Sequence, residues 1–172
     1  MTLWRADAPM KALPVGSWHR IHPAFGIRLL HENQLLPVRE RDLGETWLAL
    51  SEDEREEREV RFFRDLLSLL AQRRHAVFTA EGTLSVDDEV IRAAAGLDAR
   101  RDLRGPLSSE LATVLAERNV EGLTVSLDDE LVLVLHDGWT GVVVAIGGVL
   151  NRAELERLAA DPQPPASKRH DL

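Results

Sequence analysis

A chain of 172 residues with a formal net charge of −8 and no cysteine is long enough to bury a full hydrophobic core without covalent staples. Zero cysteines exclude disulfides, thiolate metal sites and cysteine nucleophiles, and the acidic balance means that nucleic-acid binding would need a concentrated basic patch. The longest apolar stretch, Val142–Leu150, is broken by Gly147 and Gly148 and cannot span a bilayer, and the start Met1-Thr2-Leu3-Trp4-Arg5-Ala6-Asp7 lacks a signal-peptide pattern, so the expected compartment is the cytoplasm.

The first thirteen residues show no period. Gly26–His31 reads as a strand, Glu32-Asn33-Gln34 as a turn, and Leu35–Val38 as a return strand whose Pro37 belongs on an edge. Ser51-Glu52-Asp53-Glu54 then matches a capping box, in which the Ser51 hydroxyl takes the Glu54 amide and the Glu54 carboxylate takes the Ser51 amide. Val60, Phe63, Leu67 and Leu70 recur at helical spacing, and Phe62, Leu66 and Leu69 widen that stripe. The opposite face carries Glu and Arg at salt-bridging distance. A long amphipathic helix is expected over Glu52–Arg74.

Ala76–Ala80 reads as a strand, Glu81-Gly82 as a turn and Thr83–Val86 as its partner. Asp87–Ala95 is ambiguous, with the alanine run and Gly96 favouring a short helix. Asp98–Gly105 is expected to be irregular. A second helix, capped by Ser108 or Ser109, should run to about Arg118 with Leu111, Val114 and Leu115 inward. Leu123–Leu127, Leu131–His136 and Gly141–Ile146 form three β-rich runs of a meander, parted by Asp128-Asp129-Glu130 and Asp137-Gly138-Trp139-Thr140. Asn151 caps a last helix, Arg152–Ala160, and the proline-rich segment 161–172 should be a disordered tail. The expected fold class is α+β: an antiparallel sheet packed against a long amphipathic helix and two shorter helices. One domain is expected over 1–160, with 1–50 as an N-terminal β arm. Residues 81–90 echo 121–131, which would fit a duplicated helix-hairpin unit over 52–95 and 108–147.

The residues that bear on chemistry are few. His19 and His22 have a His-x-x-His spacing, which on a helix would suit a metal. Pro23 favours an extended backbone there, and in a strand residues three apart point to opposite faces. His136 ends a strand next to Asp137; a histidine near a carboxylate can serve as a general base. Asp137 before Gly138 is also what a turn asks for. The acidic runs at 87–89 and 128–130 lack the spaced ligands and glycine of a calcium loop. Arg73 with Arg74, and Arg100 and Arg101 with Arg104, would make a phosphate-binding patch if the fold brought them together. No phosphate loop or nucleophile elbow is present, and no cofactor or metal is expected.

The order helix, strands, helix, three strands, helix resembles that of the small secretion-chaperone-like regulators, which implies a module that works by binding another protein. The expected function is therefore a non-enzymatic, partner-binding regulatory or chaperone-like module, its partner a protein or a second copy of the chain. Trp139, flanked by Asp137 and Thr140 on a strand-connecting loop, would anchor that contact. The alternative is an enzyme using His136, His19 or His22 with a carboxylate; the second alternative is nucleic-acid binding through Arg73, Arg74, Arg100, Arg101 and Arg104.

Overall fold

The structure, a computed structural model, describes residues 18–29, 43–73, 75–81, 85–98, 103–118, 120, 122–136, 143–145 and 150–160. Seven strands and five helices lie among the described residues. In chain order they are β1 (Trp18–His22), β2 (Gly26–Leu29), α1 (Glu45–Leu48), α2 (Glu52–Ala71), β3 (Ala76–Glu81), α3 (Ser85–Ala95), β4 (Arg104–Pro106), α4 (Ser109–Glu117), β5 (Gly122–Leu127), β6 (Glu130–His136), β7 (Val143–Ala145) and α5 (Arg152–Ala159). The fold is α+β, with a wholly antiparallel sheet in the order β2-β1-β7-β6-β5-β3-β4.

Helix α2 forms as its caps and stripe dictate. The Glu54 N–H donates to Ser51 Oγ at 3.2 Å, and the Ser51 N–H donates to Glu54 Oε2 at 2.8 Å. That backbone hydrogen bond, then the one from the Ser51 hydroxyl, holds the Glu54 carboxyl below its usual range. Phe62, Phe63, Leu66, Leu67 and Leu70 are buried, with Val60 and Leu69 packed at the margin of the core. The helix ends at Ala71 rather than Arg74: Gln72 is the C-cap, and the Arg73 amide bonds the Leu70 carbonyl to close the last turn. Arg55 stitches α2 to α1, its guanidinium donating to the Trp47 and Leu48 carbonyls at 3.1 and 2.9 Å, where orphan carbonyls at a helix end need a donor.

The sheet's core face follows the register. One row crosses β1, β7, β6, β5, β3 and β4 through His19, Val144, Leu133, Val125, Phe78 and Gly105. Leu133, Val125 and Phe78 in this row are wholly buried, in one cluster with Phe63, Ile91, Leu111 and Leu155 from four helices. The row on the opposite face runs Arg104, Thr79, Thr124, Val134, Val143, Arg20, Arg28. There Thr79 and Thr124 are half-exposed and Arg104 exposed, while Val134 is buried.

The β5–β6 connection is a two-residue loop in which Asp128 and Asp129 both have positive φ, 48° and 65°, the geometry that matches the twist of a hairpin. A register shift between Val125 and Ser126 marks a bulge in this pair.

Several expectations are corrected. Trp18–His22, to which periodicity assigns no element, is a strand, in keeping with the extended backbone expected before Pro23. Ser85 and Val86 start helix α3 instead of continuing a return strand. Ile91 supplies that helix with a fully buried anchor. Within the described parts of the echo between 81–90 and 121–131, Asp87–Val90 is helical and Asp128–Leu131 is a turn and strand. Arg104–Pro106, expected to be irregular, pairs along the outer edge of β3. The proposed strand at Leu35–Val38 and the tail at 161–172 lie outside the described residues. Among the described residues no helix is long and apolar enough to cross a membrane.

Candidate functional site

Among the described residues, the most developed polar constellation surrounds His22. It closes β1, and the turn Pro23-Ala24-Phe25 folds back over it, the Phe25 N–H donating to the His22 carbonyl at 3.2 Å. The Ala24 N–H donates to His22 Nδ1 at 3.0 Å. With Nδ1 accepting, the proton sits on Nε2, which donates to Glu59 Oε1 on α2 at 3.1 Å; the network, not an observed hydrogen, assigns this tautomer. The ring is fully buried and stacked on Phe25 at a centroid distance of 5.6 Å. Trp47 of α1 meets it edge-on at 5.1 Å and Phe62 of α2 lies at 6.4 Å. The Gly44 N–H donates to the Ala24 carbonyl at 3.0 Å and fastens α1 to the same turn.

This is a histidine–carboxylate pair, yet its wiring is not that of a general base. A base needs one ring nitrogen held by its carboxylate and the other lone pair open to substrate. Here the second lone pair is filled by the chain's own Ala24 amide. Only Glu59 reaches toward solvent, at 21% side-chain exposure. The pair joins the β1–β2 turn, α1 and α2.

His19 is different. It lies in the core-facing row, 8% exposed, and its buried Nδ1 has no hydrogen-bond partner. Burial, and secondarily the Arg152 guanidinium on α5, hold its pKa below the ordinary imidazole value. The two histidines thus face separate surroundings, Glu59 and aromatic rings for His22 and Arg152 for His19. Among the described residues, no three His, Asp or Glu side chains converge as a metal site requires.

The remaining sequence candidates are scattered or outside view. His136 is the last residue of β6, opposite Gly122, and its side chain lies outside the described residues. So do Asp137, Trp139 and Thr140, and likewise Arg74, Arg100 and Arg101. Arg73 donates to Glu154 Oε2 at 2.9 Å and ties α2 to α5. Arg104 is exposed on the edge strand β4.

Sequence reasoning missed Glu59 and Trp47. Glu59 sits 37 residues from His22 on what reads as the solvated face of α2, and no local pattern marks it. No protein-family model, curated protein or solved structure matches the chain.

Proposed function

We propose that the chain is a non-enzymatic protein-binding module, regulatory or chaperone-like, acting in the cytoplasm. The observation that carries this reading is the filled lone pair of His22. The best-formed histidine–carboxylate pair among the described residues is used up in holding two helices to a turn, and His19 has a cation, Arg152, acting on it. Arg73 is likewise committed to Glu154, which weakens a phosphate-binding reading. In the described part of the sheet, Val77, Thr79, Thr124 and Ser126 leave a half-exposed strip on the face opposite the helical core. A half-exposed strip of β-branched and small polar side chains suits a protein surface better than a small ligand, which needs a concave site. The β6–β7 connection departs from His136, beside Gly122 and Glu81 at one end of that strip. Trp139, with Asp137 and Thr140, is our choice for the anchor of the contact, and the partner is another protein or a second copy of the chain.

The test is affinity capture from the source organism's lysate, alongside light scattering of the purified chain. Wild type should retain a partner or form a dimer. Trp139→Ala and Thr124→Arg should weaken that association about tenfold or more, the scale of a hot-spot loss, with the melting temperature unchanged. If Trp139→Ala instead lowers stability by several kcal/mol, as truncation of a buried aromatic does, the ring caps the sheet. If neither variant alters association, the surface is wrongly assigned.

A further inference from the structure

We propose that α5 is an acid-released latch, and that protonation of His19 opens it. His19 fills a core-facing position in line with Leu133, Val125 and Phe78, all wholly buried. An apolar side chain would satisfy that position; a histidine there is tolerated only while it stays neutral, because a buried cation needs a partner. Its Nδ1 already lacks one.

Among the described residues, no free carboxylate faces His19 to balance its proton's charge. Helix α5 packs on β1 and β2 and begins with the cation Arg152, whose charge acts on His19. Both carboxylates of α5 are committed, Glu154 to Arg73 at 2.9 Å and Glu156 to Arg152 at 2.9 Å. Arg157 of the same helix adds a further positive charge. On β1 itself Arg20 alternates to the other face with Arg28 of β2 in register beside it, and His22 is bonded to Glu59. The described part of β7, Val143–Ala145, carries no charge. Charged His19 would thus lie at a buried position of the sheet's inner row, within the field of Arg152. The lowered pKa at His19 agrees in direction with this penalty.

The element able to yield is α5. It has eight residues, anchored by fully buried Leu155, partly buried Leu158 and the Arg73–Glu154 pair. So short a helix does not persist in water without its docking surface. Its release would relieve the repulsion with Arg152, admit water to His19 and uncover the apolar surface that Leu155 now covers, while β3, β5 and β6 keep their core.

Hydrogen exchange on the full chain, corrected for intrinsic rate, tests this between about pH 7.5 and about pH 5, a window that spans the ordinary histidine value. In wild type, α5 amides should lose protection severalfold on acidification while β5 and β6 amides keep theirs. His19→Leu should abolish the α5 response, and Arg152→Gln, which leaves His19 in place, should reduce it. An unchanged response in His19→Leu would overturn the proposal. So would a response that disappears only in Glu154→Gln, since the trigger would then be the Arg73 ion pair. Uniform loss across α5, β5 and β6 would also overturn it, because that is global unfolding.

Discussion

Replacing His22 with Ala removes an acceptor, a donor and a ring from one fully buried point. The orphaned Ala24 amide, itself buried, carries an unsatisfied-donor cost of about 1–3 kcal/mol. The stacked Phe25 and edge-on Trp47 contacts contribute about 0.5–1.5 kcal/mol each beyond their area. Glu59 is partly exposed, so its freed carboxylate regains water at little cost. Together the loss is expected to be about 2–6 kcal/mol, a large share of the roughly 5–15 kcal/mol that a domain has. His22→Asn places an amide oxygen close to where Nδ1 lies, so it should keep the Ala24 hydrogen bond and lose only about half as much. Glu59→Gln keeps an acceptor for Nε2 and should cost less than about 1 kcal/mol. Urea unfolding followed by far-UV circular dichroism gives each value, with an unchanged m confirming that the midpoint reports stability. A His22→Ala loss under about 1 kcal/mol, or an Asn variant no milder than the Ala variant, would refute the wiring described for this turn.

Leu67→Ala removes three carbons from a side chain with no solvent exposure on the inner face of α2; a loss of about 2–5 kcal/mol is expected, and chemical denaturation showing less than about half a kcal/mol would mean that the face is not packed. Acid stability should depend on His19. Its folded value lies below the unfolded one because of burial and then Arg152, so the contribution is fully present above the unfolded value of about 6.5 and is lost as the pH falls through the lower folded value. His19→Leu should flatten that part of the stability–pH curve, read as urea midpoints across the window, and a curve parallel to wild type would count against the assignment. Asp129→Gly should hold or raise the thermal midpoint, because glycine adopts the positive φ of that hairpin position without strain; a clear fall would show that the Asp129 side chain stabilises the turn.

What the sequence by itself determined was local. Ser51, Glu54 and the Val60–Leu70 stripe specify α2, because a capping box and a 3.6-residue apolar period both act within a few residues. Ser108 and Asn151 accept amides of the first turns of their helices in the same way. The β5–β6 hairpin was legible from two apolar runs parted by aspartates. Short runs were harder: Ser85–Val86 reads as a strand after Thr83-Leu84, but both join the helix whose Ile91 docks into the core. Strand β4 has three residues and no pattern, and exists because β3 offers it an edge. The histidines show the limit most clearly. His-x-x-His says nothing of Glu59, 37 residues away, or of Arg152 on α5. Whether a histidine is a base, a strut or a buried liability depends on which groups fill its two nitrogens, and only the tertiary structure brings those groups to it.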